Sequence, residues 1–316
     1  MNEEIKVSVC IVTFNHERYI RQAIESVLMQ KVNFPIEILV GDDCSQDKTP
    51  EILKEYEGKY PNLRIILRQE NLWGTPDNNS WQLRSTTRGK YVIVLEGDDF
   101  WLDTQKLQKQ ADFLDKHQNF IAVAHRCVVV GDDSAPIDEV YPECNDAEYT
   151  IDHFASNILP GQTTTVMYRN IYRGVPEVDL SILHKGLIPG DRLLNFVLLC
   201  YGRVGCLQDR MTAYRHVTTH GSSFSATVRP DFYRDLHWLK ELLTYAKKVG
   251  TPKSVIAVEI FLIGYYRGNI FGVHSQNRVV AWQSWLQENI QAMSYVKYVE
   301  GLINRKIFHK QLSIKL

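Results

Sequence analysis

Glu96-Gly97-Asp98-Asp99 closes a short apolar run, Tyr91–Leu95. Three carboxylates this close repel one another unless a cation joins them. Hard cations such as Mg2+ favour carboxylate oxygens and usually share their shell with substrate phosphates. Spacing alone leaves a second reading open, a solvated turn in which Asp99 caps the next helix. A second acidic cluster, Asp42-Asp43, follows the run Ile36–Gly41 and precedes Ser45 and Asp47. A turn with an N-cap for a helix opening at Thr49-Pro50 accounts for Ser45 or Asp47. It does not account for two acids at the end of a strand. A carboxylate there can accept hydrogen bonds from a nucleobase or a ribose hydroxyl. No G-x-G-x-x-G follows the first apolar run, so an NAD-type pyrophosphate turn is absent.

The elements that must position these acids follow from the hydrophobic period. Val7–Phe14, Ile36–Gly41, Leu63–Leu67, Tyr91–Leu95 and Phe120–Val130 read as buried strands. Tyr19, Ile20, Ala23, Ile24, Val27 and Leu28 share one helical face between Glu17 and Gln30. A helix from Thr49 reaches about Tyr60, a short one ends near Arg88, and Thr104–Lys116 is helical. Strands alternating with helices predict βαβ units, a largely parallel sheet and helices on both faces. Ligands of such sheets sit at the carboxyl ends of the strands. Thr13-Phe14-Asn15, Asp42-Asp43 and Glu96 to Asp99 all fall there. Beyond Val130 the pattern weakens. Gly131 to Asp152 reads as an acidic loop, Gly161–Tyr168 as a candidate strand and Arg192–Cys200 as a helix. From Phe232 the chain reads as all-helical, with a boundary near Ser225–Pro230.

The 316 residues carry 44% hydrophobic and 23% charged side chains, ordinary for a folded chain with a sizeable core. A formal net charge of -1 argues against a nucleic-acid binder working through a general basic field. The six cysteines form no CxxC pair, and Cys10, Cys127 and Cys200 lie in apolar runs, which predicts reduced thiols in a cytosolic protein. The N-terminus lacks the pattern of a signal peptide. No run approaches the ~18 apolar residues of a membrane span. The expectation is a soluble or peripherally attached cytoplasmic protein. Lys297, Arg305, Lys306, Lys310 and Lys315 lie among aliphatics near the C-terminus. They offer a contact with an anionic membrane, at its inner face, against the alternative of a solvated helix.

VSVCIVTFNHERYIRQAIESVLMQ, ILVGDDCSQDKT, ENLWG and GKYVIVLEGDDFWLDTQKLQKQADFL resemble, in order and spacing, glycosyltransferase family 2 of the GT-A fold. The resemblance covers roughly the first 130 residues, and the EGDDFW…KLQKQ segment resembles bacterial enzymes that build surface polysaccharides. It implies an α/β, Rossmann-like, mostly parallel sheet flanked by helices, with a helical C-terminal extension. Residues 1–228 would form the GT-A domain, 1–130 binding nucleotide-sugar and 131–228 facing the acceptor, with 229–316 as the extension. Thr13, Phe14 and Asn15 match the turn that holds base and ribose. Asp43, with Asp42 beside it, matches the acid that bonds the base, usually uracil. Asp98 and Asp99 match the acids for metal, Mg2+ or Mn2+, and diphosphate. Glu96 stands where the family often has aspartate, which leaves its role less defined.

The family's base comes from an acid at a helix start, which Pro189-Gly190-Asp191 fits; Asp191 competes for that role with helix capping. Tyr214-Arg215-His216 and His220-Gly221-Ser222 resemble a segment whose histidine contacts the metal or diphosphate, so His216 and His220 are both candidates. The spacing departs from the family's, which leaves that choice open. Arg84 and Arg88 are candidates to neutralise a phosphate, against the default of solvated surface arginines. The implied reaction moves a sugar from a nucleotide donor, a UDP-sugar, to a hydroxyl of a glycan or lipid-linked acceptor. Two rivals remain. A sugar-1-phosphate nucleotidyltransferase needs a Gly-rich basic loop where this chain has Asn15-His16-Glu17-Arg18. A non-catalytic glycan-binding scaffold has no need of the acids.

Overall fold

Short β-branched and aliphatic runs form the first four strands, Val7–Thr13 (β1), Ile36–Asp42 (β2), Leu63–Leu67 (β3) and Tyr91–Glu96 (β4). They pair in parallel in the order β3-β2-β1-β4. Parallel neighbours need crossovers, and Ile20–Leu28 (α1), Thr49–Lys54 (α2) and Asn79–Ser85 (α3) supply them. The register sets Thr13 beside Asp42 and Val12 beside Glu96, so three strand tips end together. Helix α1 buries Ile20, Ala23, Ile24 and Val27 at the expected spacing. The side chain of Asn78 caps α3 by accepting from the Trp81 N–H at 3.0 Å. The computed structural model describes residues 4–174, 176–217, 227–272, 276–288 and 290–313.

The sheet changes character after β4. Phe100–Trp101 (β5) follows the acids, and Lys106–Lys116 (α4) leads into Phe120–Val130 (β6). Glu148–Tyr149 (β7), Ile151–Ala155 (α5), Met167–Arg169 (β8), Gly190–Tyr201 (α6) and Arg203–Arg215 (β9) come next. The full order is β3-β2-β1-β4-β8-β6-β9-β5, with β7 also on β9. Strand β8 lies antiparallel between β4 and β6, while β6 and β9 run parallel. The result is a mixed α/β sheet flanked by helices. Strand β9 was not legible as a strand because its apolar alternation breaks at the exposed Gln208, Asp209 and Arg210. The register against β6 shifts around Arg126 at that point, the mark of a bulge.

The chain divides into two compact units, Met1–Thr150 with Leu159–Arg229, and Ile151–Ile158 with Pro230–Leu316. The first contains the sheet. The second is helical: α5, Phe232–Val249 (α7), Pro252–Phe271 (α8), Arg278–Leu286 (α9) and Ala292–Ser313 (α10). Asp231 and Thr251 cap α7 and α8 through their side chains. Helix α7 buries Phe232, Leu236, Leu239, Leu243 and Ala246 along one face. Helix α8 corrects one expectation: by length and composition it is a membrane-span candidate. Half of that stretch is buried inside the protein, and it carries the buried Glu259, which accepts from Ser294 Oγ at 2.5 Å.

Candidate active site

The turn after β1 is stapled to the turn after β2. Asn15, in the left-handed region at φ 54°, donates its N–H to Ser45 Oγ at 2.8 Å and accepts from the Gln46 N–H at 2.7 Å. His16 N–H donates to Thr49 Oγ1 at 2.9 Å. Asp42 accepts from both the N–H and the hydroxyl of Ser45, so its carboxylate serves the loop. Asp43 lies at the tip itself, its N–H on Thr13 O at 2.9 Å. One carboxylate oxygen of Asp43 accepts from the Leu72 N–H at 3.0 Å, and Asn71 donates to the Asp43 carbonyl at 3.1 Å. Burial raises the proton affinity of Asp42 and Asp43, and the bonds from Ser45 and Leu72 partly offset it. Phe14 is half-buried between Thr13 and Asn15.

The β4 tip sits against this turn. Gly97 donates to Val12 O at 2.8 Å, and a Cβ added there would lie 2.7 Å from Thr13 Oγ1 and 2.8 Å from His16 Nδ1. His16 Nδ1 is 3.2 Å from Thr13 Oγ1, and its Nε2 is 3.8 Å from Asp98 Oδ2. Thus Thr13, His16, Gly97 and Asp98 are neighbours, as strand-tip acids on adjacent strands require. Burial, then the charges of Asp98 and Asp191, push Glu96 up to about 8. Burial, then Asp98 and Glu96, hold Asp99 well above the usual carboxylate range. Asp99 Oδ1 accepts from the Arg215 N–H at 2.8 Å; Asp99 Oδ2 is buried without a hydrogen-bond partner among the described residues. Among those residues no lysine or arginine side chain forms an ion pair with Glu96, Asp98 or Asp99.

Arg215 is the site residue that sequence reasoning passed over, naming it only inside a motif. It is 1% exposed. Its five guanidinium hydrogen bonds go to the carbonyls of Asp98, Gly131 and Asp132, to Gln22 and to Ser134. Its guanidinium also lies 4.3 Å from the Tyr19 ring centre. It therefore ties the acid turn to α1 and to the turn after β6. The sequence offered little signal, since Arg215 stands between Tyr214 and His216 at the end of a strand whose alternation is broken.

Asp191 is the second residue of α6. The N-cap is Pro189, which has no capping side chain, so Asp191 is not the cap. Its Oδ1 accepts from the Arg192 N–H at 2.8 Å. Burial raises its proton affinity against the pull of Arg192, and its charge reaches Glu96 and Tyr141. Asp191 thus lies within electrostatic reach of Glu96. His216 pairs through Nδ1 with Glu139 at 2.7 Å and stacks on Tyr214. His220 lies outside the described residues.

Arg88 is occupied elsewhere. It pairs with the buried Glu37 at the opposite end of β2 from the acids, where that carboxylate also accepts from Ser8. Arg84 donates to Ser80 O and packs on the Tyr172 ring. Arg84 is partly buried, and Arg88 is a largely exposed surface arginine held by its ion pair with Glu37.

With this geometry in view, the similarities are informative. The model of glycosyl transferase family 2 matches residues 8–167. An uncharacterized protein of Mycobacterium tuberculosis is 34% identical over 222 residues, 70% of this chain and 61% of the relative. The chain thus spans about three fifths of that relative's length. The putative teichuronic acid biosynthesis glycosyltransferase TuaG of Bacillus subtilis is 29% identical over 252 residues, 76% of this chain and 94% of that protein. The crystal structure of Staphylococcus aureus TarS 1–349 in complex with UDP-GlcNAc superposes with a TM-score of 0.64 at 18% identity, over 90% of this chain and 81% of that one. At that identity the likeness bears on the fold, which is the GT-A fold. The chain belongs to glycosyl transferase family 2.

Proposed function

We propose that this family member is an inverting glycosyltransferase. In this reading it moves a sugar from a UDP-sugar to a hydroxyl of a glycan or lipid-linked acceptor during bacterial surface polysaccharide synthesis. The observation that carries the reading is the acid cluster of Glu96, Asp98 and Asp99 beside the β1 and β2 tips, with no lysine or arginine ion pair among the described residues and with Asp191 in electrostatic reach of Glu96. Keeping so many carboxylates together is costly unless positive charge arrives with the ligand. The donor set is all oxygen and Asp99 Oδ2 is buried without a partner, which fits Mg2+ or Mn2+ held by Asp98 and Asp99. When bound, the ion supplies positive charge opposite the departing diphosphate. His220 is a further candidate ligand.

The chain's own groups divide the remaining work. Thr13, Phe14 and Asn15 line the base and ribose, with the Asn15 side chain holding the turn. Asp43, whose Oδ1 is fixed by Leu72, presents its other oxygen to the base. Asp191 accepts the proton of the acceptor hydroxyl as that oxygen bonds to the anomeric carbon and the bond to the diphosphate breaks. A raised proton affinity suits a base better than an ordinary surface carboxylate. Asp191→Asn removes the acceptor of that proton. Turnover should fall by about 10²–10⁴-fold, with UDP affinity within twofold; near-normal turnover removes the base assignment.

Peripheral attachment at the cytoplasmic face of the membrane completes the reading. On α9, Val279, Trp282 and Leu286 are exposed at 70%, 48% and 71%, and on α10 Met293, Val296 and Val299 are exposed in turn. Arg278 and Lys297 flank these stripes, and Arg305, Lys306 and Lys310 follow in sequence. Apolar stripes bordered by cations suit an anionic lipid surface.

A further inference from the structure

The loop between β3 and α3 touches both halves of the proposed machinery. At one end it is fixed to Asp43, through the Leu72 N–H at 3.0 Å and the Asn71 amide at 3.1 Å. Within it, Thr75 donates from N and Oγ1 to Leu72 O, and Asn78 donates to Thr75 O at 3.0 Å. At its other end it meets the 3-10 turn Leu183–Lys185. His184 Nε2 lies 2.8 Å from Asp77 Oδ1. The same imidazole stacks on Trp81 of α3, with ring centres 4.5 Å apart and planes 25° from parallel. Trp81 in turn packs edge-on against Tyr172, whose hydroxyl is buried.

The turn is also seated by shape. Gly186 follows it at φ 67°, so close that an added Cβ would be 2.4 Å from Thr75 O. Both the left-handed backbone and the close approach call for glycine. Leu187, Ile188 and Pro189 then lead directly into α6, where Asp191 sits. The segment that delivers Asp191 is therefore pinned, a few residues upstream, to the loop that Asp43 holds.

We infer that His184 is a positioning residue: with Gly186 it clasps the base-side loop to the segment carrying Asp191, so that the placement of the proton acceptor depends on the loop at the nucleotide. This rests on the roles given above to Asp43 and Asp191. A purely structural contact at the surface would be indifferent to whether Asp191 is functional. A clasp that works through Asp191 has no further effect once Asp191 is gone.

The test is a double-mutant cycle in the full chain. His184→Ala, Asp191→Asn and the double variant are compared by hydrolysis of UDP-GlcNAc, UDP-glucose or UDP-galactose with Mn2+, where water stands in for the acceptor. UDP binding by calorimetry and thermal melting accompany each. His184→Ala should lower hydrolysis kcat by about tenfold or more, since small misplacements of a reacting group are expensive. UDP affinity should stay within twofold, melting within a few degrees, and the change should add nothing in the Asp191→Asn background. Trp81→Phe, which keeps a stacking face, should retain most of the rate. Equal losses from His184→Ala in both backgrounds, a parallel loss of UDP affinity, or an unchanged kcat overturns the clasp alone. Normal hydrolysis by Asp191→Asn, or none by the native chain with any of the three donors, removes the underlying reading and the clasp with it.

Discussion

Arg215 shows how one buried side chain decides the shape of a site. Truncation to alanine leaves the carbonyls of Asp98, Gly131 and Asp132 without their donors. Each buried acceptor left unpaired costs about 1–3 kcal/mol. Arg215→Ala should therefore lower the melting temperature strongly and abolish donor-dependent activity. Arg215→Lys keeps the charge but not the planar fork, and should fall between; equal stability of all three forms contradicts the account. Glu37 gives a prediction in pH. Burial pushes its carboxyl up, but the bonds from Ser8 and Arg88 outweigh that and leave it below its ordinary value. A lowered folded value means the stabilisation is present above the unfolded value, ~4.3, and is lost as pH falls through the folded value. Glu37→Gln should melt lower than the native chain at pH 7, and the gap should close towards pH 3. A gap independent of pH contradicts the ion-pair assignment.

At the scale of elements, the acids were legible because they follow short apolar strands directly, and parallel register forces such tips together. The first four strands and helix α1 announce themselves through unbroken β-branched runs and a clean 3.6-residue period. The antiparallel β8 was legible only inside the longer candidate Gly161–Tyr168, and the bulged β9 was not legible as a strand. Three residues carry too little pattern in the first, and Gln208 to Arg210 interrupt it in the second. The work of Arg215 was hidden for a different reason, since its contacts come from segments distant in sequence. Close approach of elements makes its own prediction. Gly97→Ala drives a methyl into Thr13 and His16, so it should weaken UDP binding at least tenfold while Gly190→Ala, where an added Cβ meets nothing within 4 Å, is tolerated. Similar UDP affinities for the two variants, measured by calorimetry, contradict the packing described for the β1 and β4 tips. Within α1, Ile24 is fully buried, and Ile24→Ala should cost about 2–5 kcal/mol in chemical unfolding.

At the scale of the whole chain, an overall charge near zero coexists with a local acid cluster and a basic, apolar-striped C-terminal stretch. Residues 276–316 hold six lysines and arginines against two glutamates, in a protein whose formal charge is -1. Full-length protein should float with phosphatidylcholine vesicles containing phosphatidylglycerol and not with phosphatidylcholine alone, and salt should reverse it. A Trp282→Glu/Leu286→Glu variant should stay in solution; flotation unaffected by lipid charge contradicts the attachment. The central claim concerns the acids, and titration calorimetry with UDP reaches it most directly. Native protein with Mn2+ should bind UDP, and chelation or Asp98→Asn should weaken that binding at least tenfold while melting changes little. Equal affinity with and without the ion, in both forms, would contradict the claim that these strand-tip carboxylates grip a diphosphate through a divalent cation.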